Sequence, residues 1–187
     1  MTDQTVDPAP QDRVRPLLRA RQVREFTAEP LTPAELDALT DVARWSGSSS
    51  NQQPWRFIAI RDRGTLLRIA EAGMPQTRSL QTAMAAVAIV MPGDPDRAVS
   101  HAFDEGRAAE RLIIAAALLE LGAGISWIQK DVRPTVAEIL GLPADRMVRT
   151  IVALGHPSEA GRRPKSAPGE ARLPREQVVF EERWPAS

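Results

Sequence analysis

The chain has 187 residues, 43% of them hydrophobic, which suits one domain with a sizeable buried core. Lysine plus arginine and aspartate plus glutamate each number 24, so the net charge is zero and broad electrostatic capture of nucleic acid or an anionic membrane is not expected. The absence of cysteine excludes disulfides, thiolate metal sites and a cysteine nucleophile.

The opening, MTDQTVDPAPQDR, lacks the basic-then-apolar order of a secretory signal. The longest apolar run, Leu112 to Leu119, is far short of the ~20 residues that cross a bilayer. A cytoplasmic location is the expectation. Residues 1–11 are polar and proline-bearing and read as a disordered lead-in to a single domain over residues 12–187. QDRVRPLLRAR predicts a short helix with Pro16 in its first turn. LTPAELDALTDVARW predicts a strong one: Thr32 caps it, Pro33 takes the first position, Glu35 completes a capping box, and Leu36, Leu39, Val42 and Ala43 share a face. SGSSSNQQPW follows as a loop, and WRFIAIRD as a strand.

GTLLRIAEAG predicts a helix stopped by Gly73, and AAVAIVMPGD a buried strand closed by a Pro-Gly turn. DEGRAAERLIIAAALLELG predicts the longest helix, opened by Asp104 and Glu105 and stopped by Gly122. GISWI reads as a short strand or turn, RPTVAEILGL as a helix ended by Gly141, and VRTIVALGHP as a strand. Residues 158–169 read as loop and QVVFEERW as extended. Many helices, few strands and no regular βαβ alternation make this an α+β pattern. The apolar central helix and the extended C-terminus suggest a partner subunit and an arm.

Most catalytic signatures are missing. GAG at Gly122 reads as a helix stop rather than a dinucleotide loop, no GxSxG is present, and His101 and His156 have no companions that would make a metal site. Three clusters remain: RARQVREF, with Arg19, Arg21 and Arg24 able to match phosphate oxygens; SGSSSNQQPW, rich in donors and acceptors; and ARLP, with Arg172. Each alone is equally compatible with a solvated surface.

Their order and spacing are more specific. RQVREF, LTPAELDALTDVARWSGSSSNQQPWRFIAI, GRAAERLIIAAALLELGAGISWI, IVALGHP and ARLP together resemble the FMN-dependent nitroreductase superfamily over residues 13–184, most sharply in Asn51, Gln53, Pro54 and Trp55. The resemblance implies a mixed or antiparallel sheet flanked by helices, in an interlocked homodimer with an extended C-terminal arm and FMN at the subunit interface. It implies that Arg21, Gln22 and Arg24 form the first FMN-binding segment, with Arg21 near the phosphate and Arg24 near the pyrimidine edge. Gly47, Ser48, Ser49 and Asn51 would reach FMN from the partner, and Trp127, Ile128, Gln129 and Lys130 would pass the flavin N5. Gln76 to Ser79 would line the same pocket, and Arg172 would bind phosphate. Ala20 and Gln22 depart from the family's usual Arg and Ser, which would shift the phosphate contact to Arg19 or Arg172.

The implied activity is NAD(P)H oxidation with ping-pong hydride transfer to a nitroaromatic, quinone or similar small acceptor. No protein acid–base dyad is required, because a flavin carries the reactivity. Four alternatives stay open: a flavin-storage protein without turnover, a reductive dehalogenase, a flavin-modifying enzyme on the same fold, and a helical interaction domain.

Overall fold

The computed structural model describes residues 9–164, 166 and 172–185. Helix α1 spans Pro10–Arg19, starting two residues inside the stretch expected to precede the domain; residues 1–8 lie outside the described residues. Because Pro10 occupies the first helical turn, Pro16 falls in the second turn rather than the first. Its missing N–H removes one helical bond there, and α1 buries none of its residues.

Helix α2, Pro33–Arg44, starts on the expected capping box. The Glu35 N–H donates to Thr32 Oγ1 at 3.2 Å, and the Thr32 N–H donates to Glu35 Oε2 at 2.7 Å. Strand β1 (Arg56–Ile60) and helix α3 (Arg63–Ala72) follow as predicted, then strand β2 (Ala85–Pro92). Helix α4 covers Ala98–Leu118, strand β3 Gly122–Trp127, helix α5 Arg133–Leu140, strand β4 Arg146–Gly155 and helix α6 Glu159–Arg162.

The four strands form one antiparallel sheet in the order β1-β2-β4-β3. The continuous apolar run of β2 puts it in the interior, covered on both faces. Val87, Ile89 and Met91 pack with Leu36 and Leu39 of α2 and Leu112 of α4. Ala86, Ala88 and Val90 pack with Leu66 and Ile69 of α3 and Val136 of α5. The sheet is therefore the middle layer of three, and the edge strand β3 is the one that faces the candidate site.

Helix α4 begins six residues earlier than expected and ends at Leu118. Glu120 then turns with a φ of 59°, and the Leu121 N–H returns to the Ala116 carbonyl at 2.8 Å. Gly122 is thus the first residue of β3, not a helix stop. The reason for glycine here is close approach: a Cβ on Gly124 would stand 2.2 Å from the Val23 carbonyl oxygen. The segment after α1 lies against β3 at this place, with the Val23 N–H donating to the Ala123 carbonyl at 2.7 Å.

The C-terminal stretch departs from the expected extended arm. Residues 172–185 hold a 3₁₀ turn at Arg175–Gln177 followed by bends, and join no strand among the described residues. Val178, Val179 and Trp184 stay exposed, and no described residue supplies the ladder that would hold them extended. Part of the expected loop at 158–169 is α6, capped by Ser158; residues 165 and 167–169 lie outside the described residues. No described helix is long and apolar enough to cross a membrane.

Candidate functional site

The extended segment after α1 alternates its side chains between two surfaces. Gln22 and Arg24 turn toward β3, where Gln22 Oε1 accepts the Ile125 N–H at 3.2 Å and Arg24 Nη2 at 2.7 Å. With Gln76, Arg78, Ile125 and Trp127 they line a cleft of about 380 Å³. The cleft offers two guanidinium groups, two side-chain amides and the half-exposed indole of Trp127. Gln76 and Arg78 reach it, but Thr77 and Ser79 do not. Thr77 Oγ1 is buried and donates to the Ala70 carbonyl, and the Ser79 and Ser126 hydroxyls pair at 2.7 Å beneath the surface.

Arg21 lies on the opposite side. It donates to the carbonyls of Gly161 at 3.0 Å and Arg162 at 2.5 Å. Together with Arg19, Arg162, His156 and Glu35 it lines a second cavity of about 590 Å³. Arg21 and Arg24, expected to serve one ligand, therefore line separate cavities. Arg172 is exposed, follows the undescribed residues 167–171, and lines neither cavity.

At the exit of β3 the side chain of Ile128 is buried in the core with Val136 and Val148, so it can present only its backbone to a ligand. Gln129 and Lys130 are exposed. The Ile128 N–H donates to the Arg149 carbonyl at 2.8 Å, and Arg133 Nε donates to the Ile128 carbonyl at 3.3 Å. Arg149 is the extra residue where β4 slips register against β2, between the pairs Ile89 with Thr150 and Val90 with Val148.

The serine loop is folded. Ser50, Asn51 and Gln53 all hold positive φ, at 48°, 52° and 50°. Asp104 of α4, buried, accepts the Ser49 N–H with both oxygens at 3.1 and 3.2 Å. Ser48 Oγ accepts the Gln53 N–H at 2.8 Å, and Gln53 Nε2 donates to Asn51 Oδ1 at 3.1 Å. Gly47 leaves room for a guanidinium: a Cβ there would meet Arg107 Nη2 at 3.1 Å. Ser49 and Asn51 face outward, beside a groove of about 560 Å³ that Gly47, Phe103 and Arg107 line. This groove shares no residue with the cleft at β3.

Sequence reasoning missed the supports of these surfaces. Asp104 and Glu105, expected to open the helix, are buried in its second turn because α4 starts at Ala98. Glu105 Oε2 takes Arg149 Nε at 2.9 Å, and Nη2 lies 2.7 Å from the same oxygen, in an ionic contact without hydrogen-bond alignment. Glu105 Oε1 and His101 Nδ1 are buried with no partner among the described residues. Burial, and secondarily the nearby Arg149 charge, lowers the Arg133 pKa from its ordinary value, while Glu105 opposes that shift. The helical period did hold a signal: Glu105 shares its stripe with Ala108, Ala109 and Leu112, all buried. No cluster of His, Asp or Glu able to hold a metal ion occurs among the described residues.

Residues 17–90 match the model of the nitroreductase family. An NADH dehydrogenase of Thermus thermophilus is 27% identical over an alignment covering 87% of this chain and 92% of that protein. Among solved structures, an FMN-dependent nitroreductase from Clostridium difficile aligns with a TM-score of 0.76 at 21% identity, covering 89% of this chain and 97% of the other. NfrA2 of B. megaterium aligns with a TM-score of 0.79 at 22% identity, covering 92% and 74%. The last two establish the shared fold. The family resemblance read from the motifs stands, and the fold is the expected nitroreductase-like one.

Proposed function

For a chain of nitroreductase kinship, and so of the flavin-dependent oxidoreductase class, we propose an FMN-dependent NAD(P)H oxidoreductase that reduces a nitroaromatic, quinone or similar small acceptor. The observation that carries this reading is the cleft at the edge of β3. Gln22, Arg24, Gln76 and Trp127, four residues named by the resemblance and drawn from three separate stretches of chain, line it together.

The donor set fits the group. A planar, hydrogen-bonding ring that becomes anionic on reduction needs a flat apolar contact, amide partners and fixed positive charge. Trp127 offers the first, Gln22 and Gln76 the second, Arg24 and Arg78 the third. Bound FMN would supply hydride acceptance and donation, in a ping-pong exchange between NAD(P)H and the acceptor. The protein's part is to orient and to hold charge. Gln22 is already oriented by the Ile125 N–H, and its carbonyl oxygen in turn holds the Arg24 guanidinium at the cleft. The Arg24 guanidinium places positive charge at the cleft, which favours the reduced anion.

The serine loop belongs to the same site through a second copy of the chain. Gly47, Ser48, Ser49 and Asn51 stand on a surface separate from the cleft, and the outward faces of Ser49 and Asn51 suit a ligand held mainly by a partner. The exposed Val99 and Phe103 of α4 and the exposed C-terminal apolar residues support a homodimer with an interlocking arm. Arg19, Arg21 and Arg172 remain the candidates for the phosphate, Ala20 having no donor to offer.

The deciding experiment is the visible spectrum of the purified protein, with the released cofactor weighed by mass spectrometry. A flavin spectrum, a mass equal to FMN, and NADH or NADPH oxidation dependent on menadione or a nitroaromatic are the expected results. A colourless protein that takes up no FMN on reconstitution would overturn the reading. Bound FMN without turnover from NADH, NADPH or a deazaflavin donor would instead favour flavin storage.

A further inference from the structure

The open edge of β3 has an unequal distribution of backbone partners. At its start the edge is occupied: Val23 donates to the Ala123 carbonyl, and the Ile125 N–H is taken by Gln22. Backbone groups of an antiparallel strand alternate in direction, so odd-numbered residues face this edge and even-numbered residues face β4. Ile128 conforms, since its N–H donates to Arg149 of β4. Its carbonyl points the same way and is met by Arg133 Nε at 3.3 Å.

A trans peptide unit sets its carbonyl and the next N–H in opposite directions. Anchoring the Ile128 carbonyl on the β4 side therefore turns the Gln129 N–H toward the open edge, the side on which Ile125 and Trp127 line the cleft. That N–H has no acceptor among the described residues. Arg133 is half-buried and, among the described residues, makes one side-chain bond, to this carbonyl. Behind it the β4 bulge presents the Arg149 carbonyl, and the buried Glu105 holds the Arg149 side chain. Ile128 is thus held at its N–H by the Arg149 carbonyl and at its carbonyl by Arg133, and neither arginine lines the cleft.

We propose that Arg133 is a positioning residue: by anchoring the Ile128 carbonyl it aims the Gln129 N–H at a ligand's ring edge in the β3 cleft. This rests on the flavin reading for the ligand, but the anchoring is a property of the chain alone.

Arg133→Met removes the donor with little change in volume. Against the wild type it should bind oxidised FMN about fivefold more weakly, the size of one lost hydrogen bond, and displace the visible flavin maximum, at an unchanged melting temperature. Arg133→Lys, which keeps a donor and a charge, should restore most of both. Arg133→Gln, too short to reach the carbonyl, should match the methionine variant and replaces it if that variant does not fold. Wild-type affinity and spectrum in both Arg133→Met and Arg133→Gln would overturn the proposal. The flavin-free protein separates this failure from failure of the functional reading. There the Ile128 carbonyl ¹³C and Gln129 amide resonances should move in Arg133→Met whether or not FMN binds. Unmoved resonances would overturn the anchoring, whereas a wild type that takes up no FMN would overturn the flavin reading and leave these resonances to decide the anchoring.

Discussion

The two halves of α4 bury different chemistry under one helical period. From Leu112 onward the buried face is Leu112, Ile113, Ala115 and Ala116, and its contacts are those of an ordinary core. From Ala98 to Ala108 the buried face instead includes His101, Asp104 and Glu105. Asp104 holds the serine loop and Glu105 holds the β4 bulge through Arg149. The apolar half gains stability from area removed from water. The polar half gives up some of that gain to fix two segments of backbone.

The largest expected effect tests this contrast directly. Glu105→Ala leaves the buried Arg149 guanidinium without its counter-ion, an uncompensated charge that costs about 3–5 kcal/mol. Leu112→Ala, about two turns on, leaves only a cavity and costs about 2–5 kcal/mol. Denaturant melts would show similar losses, so the separating measurement is the double variant Glu105→Leu with Arg149→Met. Exchange of a whole buried pair for apolar side chains is often neutral. Recovery of most of the stability in that double variant is expected, and no rescue comparable to it exists for Leu112→Ala. A double variant as unstable as Glu105→Ala would mean that the polar half is ordinary core after all.

The same contrast explains what could be read from the sequence. The layers, the strands and the capping box of α2 were legible because periodicity and local hydrogen bonding decide them, as with Thr32 and Glu35. The convergence of Gln22, Gln76 and Trp127 was legible only through family resemblance, since no local rule joins residues so far apart in sequence. Asp104, Glu105, Arg133 and Arg149 were not read as supports. A charged residue on a helix is usually solvated, and that expectation outweighed the stripe Glu105 shares with Ala108, Ala109 and Leu112. The separate cavities of Arg21 and Arg24 were not read from the sequence either. Alternation along an extended segment sends odd and even residues to opposite surfaces, and Arg21 and Arg24 differ in parity.

The next effect is smaller and confined to the loop. Asp104→Ala removes the acceptor of the Ser49 N–H, a bond to a charged group whose loss costs about 2 kcal/mol. Because Ser50, Asn51 and Gln53 keep their positive φ only while their surroundings impose it, the loop should open rather than the core. Faster hydrogen exchange limited to residues 47–53 is the expected result, with FMN retention reduced if the loop completes the site. Exchange raised throughout α4 would show Asp104 to be a core residue.

An exposed carboxylate supplies the scale against which the buried pair is judged. The hydrogen bond from the Thr32 backbone, foremost, holds the Glu35 carboxyl below its ordinary value of 4.5. A lowered carboxyl contributes stability above its unfolded pKa and loses it as pH falls through the folded one. Thr32→Ala keeps that backbone donor but loses the hydroxyl's bond to Glu35 Oε2 at 2.8 Å, the second cause of the lowering. It should cost about 1 kcal/mol near neutrality, and the gap to the wild type should narrow in part as the pH drops below 4.5. A gap independent of pH would leave the threonine hydroxyl, not the carboxylate, as the whole of the cap.

The smallest effect belongs to Gly47→Ala. Gly47 is not among the positive-φ residues, so no backbone strain opposes a side chain. The nearest obstacle to a Cβ is the Arg107 guanidinium at 3.1 Å, the far end of a flexible and largely exposed side chain. Arg107 can swing aside at the loss of a weak contact, its 3.7 Å approach to Asp104, while the Asp104 bonds to Ser49 persist. Alanine also narrows the unfolded ensemble, which offsets part of that loss. The change should stay within about 0.5 kcal/mol, with exchange at residues 48–53 unaltered. Loop opening as wide as in Asp104→Ala would shift the anchor from the carboxylate to Arg107, and the polar half of α4 would then hold the serine loop through its exposed cation.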